Sequence, residues 1–204
     1  MDSLLLREKV YKNLAEGIIR GEYHPNDILN EHALAEAFGC SRAPVRDALA
    51  MLSAEGIIKT LPRLGYEVIA ISESDIRNAL DTRRMLECGL LEKTASVISP
   101  KKLDVLYEFV AQGRTDDSLW DHWKTNEAFH LKLASYAGNN FAYRLLQNTL
   151  SYLKFAYGQH YWDKWGSEYT PGTTNYHEQL LKALGEGDLH RAMENLLGDI
   201  AHFY

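Results

Sequence analysis

The sequence has few of the features that mark secreted or membrane proteins. Its 204 residues include only two cysteines, Cys40 and Cys88, which lie far apart and form no C-x-x-C pair. This usage excludes a disulfide-stabilised scaffold and is typical of a reducing cytoplasm. No apolar run approaches the roughly 18 residues that a membrane-spanning helix needs, and the opening MDSLLLREKV lacks the cleavage site of a signal peptide. We therefore expect a cytoplasmic protein with no membrane partner.

Positive charge is also scarce. The chain has 22 Lys and Arg residues against 28 Asp and Glu, a net charge of −6. The acidity is shared, since residues 1–70 alone carry 8 basic and 10 acidic side chains. Nucleic-acid-binding domains are usually basic, so the overall charge gives no support to DNA binding. Any such function must depend on where the few basic residues lie.

The first 40 residues predict two helices separated by a turn. Residues 4–21 carry apolar side chains at helical spacing, and Gly21 ends the pattern. The segment 22–29 contains Pro25 and an Asn-Asp pair, which are typical of a turn. Asn30 is then a suitable N-cap for a short second helix.

A third helix is predicted directly after Gly39. Ser41 is its N-cap, Pro44 lies in its first turn and Gly56 ends it, the placement of Pro and Gly that helices prefer. Two short helices joined by a tight Gly-containing turn form a helix-turn-helix. Residues 57–69 then change to strand patterning around a Pro-Arg-Leu-Gly tip, which predicts a β-hairpin. A helix-turn-helix followed by a hairpin is a winged helix.

From Ser72 onward the sequence predicts helices only. Six begin near residues 72, 100, 116, 140, 174 and 188, separated by Gly, Pro or Asn signals. The predicted fold is therefore mainly α. It has a winged helix-turn-helix with a small hairpin over residues 1–71 and an antiparallel bundle of six to seven helices over residues 72–204.

Two arginines, Arg42 and Arg46, lie one turn apart at the start of the third helix. Arginines on a helix are most often solvated surface. Here they share a helix N-terminus with Ser41, and such a site suits phosphates and, through Arg, guanine edges. In a helix-turn-helix this part of the second helix meets the bases. We therefore predict that Arg42 and Arg46 bind DNA, and that Arg63 at the hairpin tip enters the neighbouring minor groove.

The same segment keeps a long series of fixed spacings, which resembles the winged helix of the GntR family of bacterial transcription regulators. The shared residues are Leu29, Glu31, Leu34, Ala35, Gly39, Ser41, Arg42, Pro44, Val45, Arg46, Ala48, Leu49, Leu52, Glu55, Gly56, Pro62, Gly65 and Val68. The chain departs from the family pattern with Asn26 for Gly, Cys40 for Val and Asp47 for Glu. The resemblance implies DNA contacts from Ser41, Arg42, Pro44, Arg46 and the wing residue Gly65. It also implies a contact between His32 and the DNA backbone.

The C-terminal two-thirds resembles the all-helical FCD effector-binding domain that accompanies this winged helix in one subgroup. The matching pieces lie around Asp75, Arg83, Asn126–His130, Ala137–Asn139 and His177–Asp188. Many FCD domains hold a divalent metal with one Asp, a His four residues later and two further His. The resemblance implies the set Asn126, His130, His177 and Asp199, with His202 as a substitute and Zn, Ni or a similar ion as the metal. The alternative is that the two histidines only form hydrogen bonds in a polar cavity.

Arg83 matches a conspicuous Arg of this family, and we expect it either to face a carboxylate effector or to form an ion pair with Glu87 one turn away. The resemblance as a whole implies a homodimeric regulator that binds operator DNA and a small carboxylate, and is not an enzyme. One alternative keeps the DNA binding but makes the bundle a metal-free dimerisation module. The other is a metalloenzyme, because Glu127-x-x-His130 fits the Glu-x-x-His unit of di-iron bundles. The nearest second unit for that reading is Asp199-x-x-His202.

Overall fold

The computed structural model describes the backbone of residues 2–113, 119–168 and 173–202, and the side chains of 5–113, 123–161 and 175–201. The chain forms two compact units. The first comprises Met1–Arg77 together with Ser151–Lys164, and the second comprises Asn78–Leu150 together with Trp165–Tyr204. The boundary predicted between residues 71 and 72 stays a prediction.

The secondary structure is mainly helical, as predicted. In chain order the elements are α1 Asp2–Ile19, β1 Ile28–Leu29, α2 Glu31–Ala37, α3 Arg42–Ala54, β2 Ile58–Leu61, β3 Gly65–Val68, α4 Glu73–Ala95, α5 Pro100–Gly113, α6 Leu119–Ser135, α7 Asn140–Glu168, α8 Thr173–Gly185 and α9 Leu189–His202. In the described part of the chain, six helices follow the last strand, as the sequence predicts. None of the described helices is long and apolar enough to cross a lipid bilayer.

Local capping signals begin the helices at the predicted places. The Asn30 side chain accepts hydrogen bonds from the backbone N–H groups of His32 and Ala33, which satisfies the free donors at the start of α2. Ser72 and Asp75 form a reciprocal cap at α4, in which each side chain accepts from the backbone N–H of the other. Ser41 also occupies an N-cap position, but its side chain makes no capping hydrogen bond. Its hydroxyl is therefore not used by the helix.

The wing is a three-stranded sheet in the order β1-β3-β2. The predicted hairpin, β2 with β3, is present, and β1 adds a strand where the sequence predicts only a turn. Asn26, before β1, has a φ of 72°, a conformation that Asn tolerates better than most residues. This explains how Asn26 replaces the glycine that the family pattern has there.

In the first unit, α1 packs on α3, and α7 lies against the end of α1 at Ile19. Val45, Leu49 and Leu52 of α3 are fully buried, as their helical spacing predicts. The α7 residue Gln159 fixes the chain that follows the wing, because its side chain donates to the Ile69 carbonyl and accepts from the Ile71 N–H, at 2.9 and 3.0 Å. Residues 151–164 are thus part of the folded N-terminal unit.

Candidate nucleic-acid interface and metal centre

The N-terminus of α3 presents the predicted polar residues to solvent. Ser41, Arg42 and Arg46 are all exposed, at the positive end of a 13-residue helix. Pro44, in the same turn, is buried. A buried side chain is not accessible to DNA, so its burial gives no support to the predicted DNA contact of Pro44, which stays a prediction.

The tip of the wing holds Arg63 in an unusual backbone conformation. Arg63 is exposed and has a φ of 69°, inside a turn closed by the Leu64 N–H and the Leu61 carbonyl. Glycine or asparagine adopts this left-handed conformation more easily than arginine does. The fold therefore presents a cation at a position where the backbone alone favours a smaller residue.

Gly65, directly after this turn, has a structural reason to be glycine. Its φ is 129°, and a Cβ there would lie 2.4 Å from the carbonyl oxygen of Leu29 on β1. Any side chain would therefore push β1 away from β3. Whether Gly65 also touches DNA, as the family resemblance implies, stays a prediction.

A surface cleft of about 350 Å³ separates the start of α2 and α3 from the wing. Four predicted DNA-binding residues line it: His32, Arg42, Arg63 and Gly65. The cleft also contains one carboxylate, Glu31, whose Oε2 lies 3.1 Å from Nη2 of Arg42. The Tyr66 hydroxyl donates to Glu31 Oε1 at 3.3 Å. Partial burial and the Glu31 carboxylate raise the pKa of Tyr66, against a smaller opposite effect of Arg46.

In the helical unit, the four residues predicted as a metal set come together. Asn126 and His130 lie one turn apart on α6, His177 lies on α8 and Asp199 on α9, and each is at most 4% exposed. His130 Nε2 lies 2.8 Å from Asp199 Oδ2, and His177 Nε2 lies 3.3 Å from Asp199 Oδ1. The two Nε2 atoms are 3.2 Å apart, and Asn126 Nδ2 is 3.3 Å from His177 Nε2. The side chain of His202, the substitute ligand, lies outside the described residues.

These distances suit a shared divalent ion. Zinc bonds of 2.0–2.1 Å in a tetrahedron place neighbouring ligand atoms about 3.3 Å apart. The His130–His177 and His177–Asp199 separations, 3.2 and 3.3 Å, match this value, whereas the His130–Asp199 separation is shorter, at 2.8 Å. One ligand atom from each of the three residues lies within 4.8 Å of the others. Rotating the Asn126 amide by half a turn would bring its oxygen to the same centre.

A second layer of charged groups on α4 supports the histidines. His130 Nδ1 lies 2.6 Å from Glu87 Oε2 and must donate to it, because a carboxylate only accepts. Arg83 Nε donates to the other Glu87 oxygen, also at 2.6 Å, and Arg83 Nη2 lies 3.6 Å from Asp199. Arg83 was predicted to form an ion pair with Glu87 or to bind an effector, and the ion pair is present in the structure. A contact between Arg83 and an effector stays a prediction.

The protonation states follow from this arrangement. Burial would raise the pKa of Glu87, but His130 and Arg83 outweigh it and hold it at about 2. Burial opposes charge on His130 as well, yet Glu87 and Asp199 raise its pKa. For His177 burial prevails and lowers the pKa. Asp199 is kept ionised because His177 and His130 lower its pKa against the effect of burial. Without a metal, two positive groups thus balance two negative ones.

In the described part of the chain, Asp199 is the carboxylate placed to share an ion with the two histidines, whereas a di-iron centre needs several carboxylate ligands. Among the described residues, the group of His and acidic side chains close enough to share an ion consists of His130, His177 and Asp199. Glu127 is not one of them. Sequence reasoning missed Glu31, Tyr66 and Glu87 as site residues. Glu31 was already part of the matched winged-helix pattern and Glu87 was considered only as an ion-pair partner of Arg83, whereas nothing marked Tyr66.

Comparison with known proteins agrees with both halves of this description. Residues 6–68 match the family model described as bacterial regulatory proteins, gntR family, and residues 78–201 match the FCD domain. An uncharacterised HTH-type transcriptional regulator in an unstable DNA locus of Streptomyces ambofaciens is 31% identical over 65% of this chain and 57% of its own length. The HTH-type transcriptional repressor RspR of Escherichia coli is 27% identical over 70% of this chain and 64% of its own. The matched region thus spans about 60% of each relative.

Solved structures share the fold. Escherichia coli McbR/YncC has a TM-score of 0.76 at 19% identity, with 97% of this chain and 94% of that chain covered. A putative transcriptional regulator GntR from Rhodococcus has a TM-score of 0.73 at 20% identity, with 96% and 94% covered. The predicted family and fold class are confirmed.

Proposed function

The chain belongs to the GntR family of bacterial regulatory proteins and carries an FCD domain, and from this premise we propose that it is a transcription regulator rather than an enzyme. It acts in the cytoplasm as a homodimer on double-stranded operator DNA, and a small carboxylate in the helical domain changes its DNA affinity. The observation that carries the proposal is the exposed N-terminus of α3, where Ser41, Arg42 and Arg46 lie beside the wing.

The placement of charge explains how an acidic chain binds DNA. Arginine side chains can pair with guanine O6 and N7, and a helix N-terminus binds phosphate. The chain has a net charge of −6, so long-range attraction to DNA is weak. Affinity then depends on contacts from Arg42, Arg46 and Arg63 more than on a general basic surface.

Selection of duplexes from a random DNA library tests this proposal. We expect the wild-type protein to enrich one sequence, and Arg42→Ala or Arg46→Ala to weaken binding to it by about 5- to 150-fold, the usual cost of a lost base contact. Arg20→Ala is the matched control, because Arg20 is an exposed arginine of the same unit that follows α1. Failure to enrich any sequence, or an equal loss in the control, would refute the assignment.

Dimerisation is proposed from the geometry of recognition. One winged helix contacts a short half-site, and a two-fold symmetric protein reads a two-fold symmetric operator. We expect a dimer by light scattering and an enriched sequence with two inverted half-sites. A monomer that binds a single unrepeated site would contradict this part of the proposal.

The His130–His177–Asp199 cluster is proposed as a divalent metal site, with Asn126 as an additional oxygen ligand. Two neutral imidazoles and a carboxylate suit Zn, Ni and similar ions. Glu87 fixes the tautomer of His130, since a proton on Nδ1 leaves the Nε2 lone pair directed at Asp199 and His177. A bound ion would supply a Lewis-acidic position next to the Arg83 guanidinium.

Charge counting supports a carboxylate effector. In the metal-loaded cluster a divalent ion and Arg83 face Glu87 and Asp199, while both histidines are neutral. The sum is one positive charge in a buried site, and a buried net charge is costly unless it is paired. A small carboxylate would neutralise it. To regulate, this anion must bind one arrangement of the protein more tightly than another.

Counting the charges without an ion is consistent with one alternative, in which the helical domain is a metal-free dimerisation module. Without an ion, protonated His130 and Arg83 balance Glu87 and Asp199, so the cluster is neutral and already paired. In that case no anion is needed, and the helical domain would serve only for dimerisation.

Metal analysis separates the two. We expect about one ion per chain in the purified protein and a lower melting temperature after chelation. His177→Gln and Asp199→Asn should each abolish retention of the ion. His190→Gln should not, because His190 lies on the same helix as Asp199 but its side chain is 85% exposed. Absence of metal, with unchanged melting after adding Zn or Ni, would favour the metal-free module.

A further inference from the structure

Glu31 is the unexpected residue of the candidate DNA surface. A carboxylate beside phosphates is repelled, yet Glu31 lies in the cleft that His32, Arg42, Arg63 and Gly65 line. Its position at the first turn of α2 stabilises that helix through the dipole, but this does not explain where its side chain is directed. Only 20% of the Glu31 side chain is exposed, against 68% for Arg42.

The Glu31 carboxylate uses both oxygens to join separate elements. Oε2 contacts Arg42 Nη2 at the start of α3, and Oε1 accepts from the Tyr66 hydroxyl on strand β3. The strand register fixes Tyr66 in turn, because it is paired with Leu29 on one side and Thr60 on the other. Glu31 therefore links α3, the proposed recognition helix, to strand β3 of the wing.

We propose, on the premise that the protein binds DNA as described above, that Glu31 is a positioning residue for operator recognition. Arginine is long and flexible, and ordering it upon binding costs conformational entropy. The contact with Glu31 occupies Nη2 and limits the side chain to a few conformations, while other N–H donors of the guanidinium remain for DNA. Tyr66 holds the carboxylate at a fixed distance from the wing, so Arg42 and Arg63 meet the duplex in register.

If Glu31 positions Arg42, removing its charge should change DNA affinity in the opposite direction to that expected for an ordinary surface acid. Removing an ordinary negative charge near DNA strengthens binding to every sequence. Removing a positioning group lowers affinity for the preferred sequence and leaves other sequences unaffected or bound more tightly. The ratio of specific to non-specific affinity is therefore the decisive quantity.

The experiment uses the full chain and two duplexes, the sequence enriched by the wild type and a scrambled duplex of the same composition. We expect Glu31→Gln to weaken binding to the enriched duplex by about 3- to 10-fold, and Tyr66→Phe to cause a smaller loss of the same kind. A carboxylate neutralises no phosphate, so the slope of log affinity against log salt concentration should be the same for Glu31→Gln as for the wild type. Melting curves confirm that each variant is folded.

Two further variants make the outcome decisive. Asp47→Asn is the charge control, since Asp47 is an exposed acid on α3 itself, and it should strengthen binding to both duplexes equally. In an Arg42→Ala background, Glu31→Gln should no longer weaken binding to the enriched duplex, because its positioning effect acts through Arg42. Like Asp47→Asn, it should then only remove a negative charge. A Glu31→Gln protein that behaves like Asp47→Asn, or a loss that persists without Arg42, would overturn the inference and leave the DNA-binding assignment intact. If the wild type enriches no sequence, the proposed function itself fails and the inference with it.

Discussion

Replacing Gly158 with alanine should destabilise the protein, although the same change usually stabilises a helix. Gly158 lies inside the 29-residue helix α7 and is buried against the end of α1. A Cβ at this position would lie 2.8 Å from both the Cα and the carbonyl oxygen of Ile19. Carbon atoms in favourable contact are about 3.5–4.0 Å apart. The two helices would therefore have to separate by most of an ångström.

The magnitude follows from two opposing terms. Alanine in place of glycine in a helix interior gains about 1 kcal/mol from propensity. Overpacking a well-packed core costs about 1–3 kcal/mol, and here the upper part of the range applies because the obstruction is backbone, which cannot rotate away. We expect a net loss of about 1–2 kcal/mol in the free energy of unfolding of the N-terminal unit.

Gly89 on α4 provides the matched control. An added Cβ there meets no atom within 4 Å, so Gly89→Ala should gain about 0.5–1 kcal/mol. Urea unfolding followed by circular dichroism gives both values, and hydrogen exchange of α1 locates the effect of the Gly158 change. If Gly158→Ala stabilised the protein as much as Gly89→Ala, or left exchange in α1 unaltered, the close approach of α7 to Ile19 would be refuted.

Three further predictions concern the wing and the polar cluster. Arg63→Gly should stabilise the turn by about 0.5–1 kcal/mol in thermal melts while weakening DNA binding, because the backbone at φ 69° favours glycine; a variant with unchanged DNA affinity would show that Arg63 does not contact DNA. Gly65→Ala should lower the melting temperature, since its Cβ would lie 2.4 Å from the Leu29 carbonyl oxygen; an unchanged melt would contradict that contact. Asn126→Asp should bind Zn more tightly, as measured by competition with a chromophoric chelator. It should also make the metal-free protein less stable, because two buried carboxylates then face each other. Stabilisation of the metal-free protein would count against the site.

The features predicted correctly from the sequence are those set by local rules. Asn30 caps α2 because its side chain reaches donors only two and three residues away, and the spacing of Val45, Leu49 and Leu52 fixes the buried face of α3. Strand β1 was missed because it has two residues and exists only through pairing with Tyr66 and Glu67, far along the chain.

The candidate sites divide in the same way. The residues of the metal set were identified through the family resemblance, and the structure brings them together. The contact between Glu87 and His130 joins residues 43 positions apart on different helices, and the contact between Glu31 and Arg42 crosses the turn between two helices. Such contacts depend on how the helices pack and leave no periodic pattern in the sequence.

The N-terminal unit is assembled from two distant stretches of chain, and this has a consequence during synthesis. Residues 151–164, which belong to this unit, leave the ribosome about 75–90 residues after Arg77. At about 5–20 residues per second, the winged helix waits roughly 4–20 s for the helix that completes its core. During this interval the end of α1 around Ile19, against which Gly158 of α7 packs, lacks its partner. The nascent chain therefore passes through a period in which chaperones can bind this apolar surface.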